Sequence, residues 1–330
     1  MPKLRWGVLS TAKIGREKVI PALQKSAHNQ VVAICSRDAQ SARTTADALG
    51  IERAYGSYDE LLADPDIDAI YNPLPNHLHV DWSIKALQAG KHVLCEKPLG
   101  LNTADAQRLV DAAKAHPQLK VMEAFMYRFH PQWQLAKQLI DQGRIGKLYT
   151  VHSHFSYNNR EPNNIRNKVD MGGGALLDIG CYSISLSRWL FNQEPTEVLG
   201  QITPMPGEEV DCLTSALMTF PEGSASFTSA TKIEPGQYVE AIGDLGSLYL
   251  ARPFYNDSSE PVQRIVITRN REQEIIEVPD HNHYSAMGDA FALSIFNDEP
   301  VPTPLADAIA NMQVVDAIFT SAAERRWVSL

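Results

Sequence analysis

Short apolar runs alternate with helix-suited stretches through residues 4–125, and no other feature narrows the fold as far. LRWGVL (4–9), VVAICS (31–36), IDAIYN (67–72), HVLCE (92–96) and LKVMEAF (119–125) read as strands. Between them, 16–27, 38–49, 77–89 and 103–116 suit helices, with Gly90 ending the third and Thr103 capping the last. Strands apolar on both faces and joined by helices imply a mostly parallel sheet covered on each side. Right-handed crossovers make that a doubly wound domain.

The pattern then changes. A helix is expected over 131–142. Extended runs follow at 148–157, 211–220, 224–233, 238–243, 246–253, 263–269 and 274–279, and helices at 283–297 and 304–325. Turn signals such as PEG (221–223) and GDLG (243–246) separate them. The fold class expected is α/β: a Rossmann domain over 1–122, then an α/β domain over 123–330 on a largely antiparallel open sheet.

Composition removes other classes. The 39 acidic and 30 basic residues give a net charge of −9, with no basic cluster, which argues against a nucleic-acid partner. No stretch has the apolar length of a membrane span, and residues 1–15 do not read as a secretory leader. Cys35, Cys95, Cys181 and Cys212 form no CxxC pair. A cytoplasmic protein without disulfides is expected. His281 and His283 in HNH lack the wider constellation of a zinc site, so no metal is expected.

The turn WGVLSTAKIG (6–15) sits where a dinucleotide fingerprint would, between strand and helix. The three glycine positions hold Ser10, Ala12 and Gly15. Ala12 permits fairly close approach, and Ser10 makes the turn if its backbone stays near ordinary angles. Amides of Ser10, Thr11, Ala12, Lys13 and Ile14 are then placed to meet a pyrophosphate. The second strand ends in Ser36 and Arg37 rather than an acid. That pair suits a 2′-phosphate and favours NADP(H), with NAD(H) possible; Arg43 is a weaker helper.

GKHVLCEKPLG (90–100), YNPLPNHLH (71–79), EAFMYRFHP (123–131) and GGGALLDIGCY (172–182) together resemble the glucose–fructose oxidoreductase, inositol dehydrogenase and dihydrodiol dehydrogenase family. The resemblance covers almost the whole chain. It implies a nicotinamide cofactor at the Rossmann sheet edge facing an interdomain cleft, oxidation or reduction of sugars, polyols or diols, and a homo-oligomer, a dimer through the C-terminal sheet. Tyr71, Asn72, Pro73, Asn76, His79 and Glu96 become cofactor neighbours by the same resemblance. Lys97 matches the active-site lysine and also borders the cofactor.

Asp178 and Tyr182 are four residues apart and share a helix face if DIGCY is helical. Many relatives carry histidine at the position of Tyr182; this chain resembles the tyrosine branch. Lys97 beside the phenol favours phenolate. In the reductive direction Tyr182 donates its proton to the carbonyl oxygen, and Asp178 orients substrate or Lys97. Asp178 as the proton carrier is the alternative. Glycines 172–174 let the chain pass close to cofactor or substrate, or form a bend. Arg128, Phe155, Arg160, Arg166 and Tyr284 are candidate substrate residues. The function expected is an NADP-dependent aldose 1-dehydrogenase or trans-dihydrodiol dehydrogenase. Alternatives are a dicarbonyl-sugar reductase and a nonenzymatic NADP-binding regulator.

Overall fold

The computed structural model describes residues 3–255 and 262–330, and two compact units emerge. The first comprises Met1–Met126 with Asn282–Ile309, the second Tyr127–His281 with Ala310–Leu330.

The first unit is built on six strands: β1 (Leu4–Leu9), β2 (Asn29–Cys35), β3 (Arg53–Tyr55), β4 (Ala69–Asn72), β5 (His92–Cys95) and β6 (Val121–Glu123). Their order is β3-β2-β1-β4-β5-β6, and every pair is parallel. This is the doubly wound order expected from the alternation. The connecting helices are α1 (Ile20–Lys25), α2 (Ala39–Leu49), α3 (Tyr58–Leu62), α4 (His79–Gln88) and α5 (Thr103–Lys114). A π-helical turn at Gly15–Val19 leads into α1. The cap of α5 is Asn102, not Thr103: Asn102 is extended, and its Oδ1 accepts from the amide of Asp105 at 2.8 Å. That leaves Thr103 as the first helical residue. Trp6 anchors the core, fully buried, its indole N–H bonded to Asn29 Oδ1 at 2.7 Å. Burying so large a ring contributes about 3 kcal/mol.

The second unit carries nine strands: β7 (Leu148–Asn158), β8 (Glu197–Ile202), β9 (Leu213–Phe220), β10 (Gly223–Ala230), β11 (Lys232–Gly243), β12 (Ser247–Leu250), β13 (Val262–Arg269), β14 (Glu272–Pro279) and β15 (Val328–Ser329). The order is β14-β13-β12-β11-β7-β10-β9-β8-β15. Pairing is antiparallel except between β7 and β10, so the sheet is largely antiparallel as expected. The remaining helices in chain order are α6 (Pro131–Asp141), α7 (Cys181–Phe191), α8 (His283–Phe296, in the first unit) and α9 (Leu305–Glu324).

Period-two alternation gives this sheet two different faces. Val151, Ala225, Phe227, Met218, Val239 and Ile265 are buried on one. Leu199, Leu217, Tyr238, Tyr249 and Ile275 stand exposed on the other, where His154, Tyr238 and Tyr249 stack in a row. Helix α7 is buried along nearly its whole length, and its charged residue, Arg188, is paired with Glu194. Among the described residues no helix is long and apolar enough to cross a membrane.

Candidate active site

Strand order in the first sheet reverses between β1 and β4. Doubly wound sheets bind ligands outside the carboxyl ends of the strands at that reversal. Ser10–Ile14 follow β1, Tyr71–Pro73 close β4, Ser36 and Arg37 follow β2, and Glu96 and Lys97 follow β5. The sequence-predicted cofactor residues therefore gather along one sheet edge, with Asn76 and His79 in the segment after β4.

The first turn differs from expectation in one respect. Ser10 has φ +72°, in the left-handed region, so its backbone does not stay near ordinary angles. The strand-to-helix reversal still requires the angle that glycine supplies elsewhere. Ser10 offsets part of the cost by accepting a bond from the amide of Ala12 at its own Oγ, 3.3 Å. The helical run starts at Lys13, and its first i→i−4 bond runs from Arg16 N to Ala12 O. The amides of Lys13, Ile14 and Gly15 lie in the first turn, where helix amides have no i−4 carbonyl, a donor set that suits a pyrophosphate.

Arg37 is exposed beyond β2. Ser36 Oγ accepts from Asp38 N at 3.3 Å, and Asp38 caps α2. Arg43 is committed elsewhere, to Asp47 and to the carbonyls of Ile51 and Glu52. The adjacent acid, Asp38, turns its carboxylate to the amide of Gln40 as the cap of α2, and the Ser36–Arg37 pair at the strand end fits a phosphate on the adenosine ribose.

The loop after β5 is held at several points. The Lys97–Pro98 peptide is cis. Tyr71 donates to Glu96 Oε1 at 2.7 Å. The carbonyl of Pro98 lies 2.8 Å from His79 Nδ1, and the amide of Leu99 donates to Glu123 Oε1 at 2.8 Å. One peptide group, Pro98–Leu99, is thus gripped at both polar ends. His79 is fully buried, its Nε2 2.7 Å from Leu74 O. Burial depresses its pKa to about 4, against the pull of the two carbonyls. Asn72 donates to His79 O and Ser83 Oγ, both at 3.0 Å, and accepts from Leu74 N. Asn72 and His79 therefore direct polar atoms into the unit's own backbone, bracing residues 72–79 and the Lys97 loop.

In the second unit a π-helical turn, Leu176–Gly180, runs directly into α7. It carries Asp178 just ahead of Tyr182. Asp178 Oδ2 accepts from Tyr157 Oη at 2.6 Å and Arg166 Nε at 3.0 Å. Asp178 beside it holds the Arg166 guanidinium above its ordinary pKa. Burial first, then Asp178, pushes the Tyr157 phenol far up, so it remains a donor. The buried Tyr182 ring is enclosed by Phe254 (5.5 Å between centroids), Phe155 (5.8 Å) and Tyr127 (5.8 Å). These three rings pack around it on the buried side of the sheet.

The glycine run ahead of this helix lets the chain approach itself. Gly172 and Gly174 have φ +75° and +114°. A side chain at Gly173 would run into the carbonyls of Arg166 and Lys168, and one at Gly174 into the carboxylate of Asp211. Asp211 Oδ2 accepts from Leu176 N at 2.7 Å and Thr214 Oγ1 at 2.8 Å. Its burial raises the carboxyl to about 6.

The other substrate candidates are more dispersed. Arg128 is buried, bonding Ser185 Oγ at 2.7 Å and lying over the Trp189 ring. Arg160 bonds Asn158 Oδ1 and Lys232 O. Tyr284 opens α8 in the first unit, edge-on to His283. Among the described residues, no group of three or more His, Cys, Asp or Glu could hold a metal ion.

Three residues of this machinery escaped the sequence reading: Tyr157, Asp211 and Glu123. Tyr157 could have been found, because it lies two positions beyond Phe155 on one strand and shares its face. Asp211 and Glu123 act through contacts 35 and 24 residues away, for which the sequence carries no local signal.

A doubly wound parallel sheet with a strand-to-helix turn at the reversal of its strand order is the architecture of a dinucleotide-binding domain. Residues 4–125 match the oxidoreductase family with an NAD-binding Rossmann fold, and residues 133–249 match the GFO/IDH/MocA C-terminal domain. An oxidoreductase of Rhizobium meliloti, ORF334, is 39% identical over 99% of both chains. D-xylose 1-dehydrogenase (NADP(+)) 2 of Haloferax volcanii is 35% identical over 97% of both. The crystal structure of KijD10, a 3-ketoreductase from Actinomadura kijaniata with NADP and TDP-benzene, superimposes with a TM-score of 0.91 at 31% identity, covering 97% of this chain and 98% of that one. The chain belongs to the Gfo/Idh/MocA oxidoreductase family and is an NAD(P)-dependent enzyme, which sets the regulator alternative aside.

Proposed function

We propose that this enzyme uses NADP(H) to oxidise a sugar, polyol or vicinal diol, with an aldose C1 hydroxyl or a trans-dihydrodiol as substrate. The observation that carries the reading is Asp178, fixed by two donors, four residues ahead of Tyr182 on one continuous helical run. The names of the xylose dehydrogenase and of the NADP-bound 3-ketoreductase support both cofactor and substrate class.

Bound NADP(H) supplies the hydride acceptor or donor. Tyr182 transfers the proton at the substrate oxygen. Lys97 supplies an ammonium that stabilises charge developing on a substrate oxygen. Asp178 orients the participating groups. Ser10–Ile14 contact the pyrophosphate, Ser36 and Arg37 the 2′-phosphate, and Tyr71, Pro73, Asn76 and Glu96 the nicotinamide half. Asn72 and His79 support that half from behind. Phe155, Arg160, Arg166, Arg128 and Tyr284 shape the substrate region.

The 3-ketoreductase relative favours a second direction, reduction of a dicarbonyl sugar, in which neutral Tyr182 gives its proton to the carbonyl oxygen. Residues 1–122 are assigned to cofactor binding, and 123–330 to substrate binding and assembly, with Asn282–Ile309 packed into the first unit. The exposed sheet face with Leu217 and Tyr238 pairs with a second copy to form a dimer, and the enzyme works in the cytoplasm. Light scattering that finds only monomer would remove the dimer.

Paired fluorescence titrations with NADPH and NADH test the cofactor assignment. Much tighter NADPH binding supports Ser36 and Arg37; equal or tighter NADH binding overturns them. Lys97→Met and Tyr182→Phe should each lower kcat by roughly 10²–10⁴ while NADPH still binds. Full turnover in either variant overturns the mechanism.

A further inference from the structure

We infer that Tyr157 is a positioning residue for proton transfer, acting through Asp178. The inference rests on the reading that Asp178 and Tyr182 serve hydride transfer.

Strand β7 meets the catalytic helical run at two points. Phe155 packs its ring against Tyr182, and Tyr157 donates its hydroxyl proton to Asp178. Two residues along a strand advance about 6.6 Å, and four along a helical run that begins as a π-turn about 5–6 Å. The spacing of Phe155 and Tyr157 therefore matches that of Tyr182 and Asp178. A single strand face registers both members of the pair, one by packing and one by a hydrogen bond.

Arg166 donates to Asp178 through Nε at 3.0 Å and balances its charge, while a carboxylate turns about its last single bond unless further donors direct it. Tyr157 adds a second donor on the same oxygen, from a different element, and the short 2.6 Å bond sets the direction. The phenol keeps its proton because ionisation beside Asp178, in a buried place, is strongly disfavoured. Tyr157 thus orients the carboxylate and leaves proton transfer to Tyr182.

The test is a double-mutant cycle on the full-length enzyme, with NADPH affinity measured for every variant. Tyr157→Phe removes only the hydroxyl. It should lower kcat about tenfold with NADPH affinity unchanged, and cost less than about twofold when added to Asp178→Asn. Effects that multiply independently in the two backgrounds, or an unchanged kcat in Tyr157→Phe, overturn the inference. If Tyr157→Phe fails to bind NADPH, Tyr157→His, which keeps a ring donor, is used instead: it should hold kcat within about threefold, and a loss of about tenfold with NADPH still bound overturns the inference. Lys97→Met run alongside separates the two claims: full turnover there defeats the mechanism, whereas additive Tyr157 effects with Lys97→Met inactive defeat only the positioning role.

Discussion

Nδ1 of His79 lies 2.8 Å from the carbonyl oxygen of Pro98 and Nε2 2.7 Å from that of Leu74, so a fully buried imidazole, whose neutral ring donates to one of the two, sits between Leu74 and the loop that carries Lys97. Burial lowers its pKa from 6.5 to about 4. The unfolded chain then binds more protons than the folded one between those values. Its stabilisation is complete above pH 6.5 and is lost as pH falls towards 4, a span of roughly 3 kcal/mol. His79→Gln should lower stability at pH 7 and flatten this slope. Urea unfolding at half-unit steps from pH 4 to 7 checks it; an unchanged slope counts against the neutral ring.

Asp211 has the opposite sign in nearly the same window. Its carboxyl rises from 3.8 to about 6 through burial. The folded state binds the extra proton there, so this contribution falls as pH rises through 6. Asp211→Asn should therefore steepen the increase of stability with pH between 4 and 6. The same urea series reads this out, and a flatter curve in the variant would contradict the assignment.

The parts legible in the sequence are those in which neighbours along the chain decide. Apolar runs announced β1, β2, β4 and β5 because parallel strands are buried on both faces. Strand β3 has only three half-buried residues and showed no pattern. Strand β8 exposes Leu199 and buries Gly200, which inverts the usual polarity of an alternating strand. At the site, Lys97, Asp178 and Tyr182 were marked by their motifs. Asp211 and Glu123 were silent because each acts on a segment that the fold, rather than the chain, brings near, whereas Tyr157 was signalled only by sharing a strand face with Phe155.

Gly174 combines φ +114° with contact to Asp211, leaving no place for a methyl group. Gly174→Ala should destabilise the second unit by about 3 kcal/mol or more, from left-handed strain plus the displaced carboxylate. Urea denaturation gives the value. A loss below about 1 kcal/mol would mean that the loop relaxes freely.

All four cysteines are buried, and burial pushes the Cys35 thiol up to about 12. A thiolate is the reactive form, so the native protein should be inert to thiol reagents. Ellman's reagent at pH 8 should find no thiol in native protein and four in urea. A fast-reacting thiol in native protein would require a local opening and would also bear on the reducing compartment proposed above.

Ser10 holds a glycine's conformation with a serine side chain. Substitutions there separate backbone strain from phosphate binding. Ser10→Gly removes the strain and frees the unfolded chain, two effects of about 1 kcal/mol and opposite sign, so stability should barely move. Ser10→Val places a β-branched residue at positive φ and should cost about 2 kcal/mol or more. If the turn presents its amides to a pyrophosphate, NADPH affinity should survive in Ser10→Gly and fall in Ser10→Val. Thermal melts with and without NADPH measure both effects. An equal NADPH-induced rise in Tm for the two variants would show that the cofactor does not depend on the angle at residue 10.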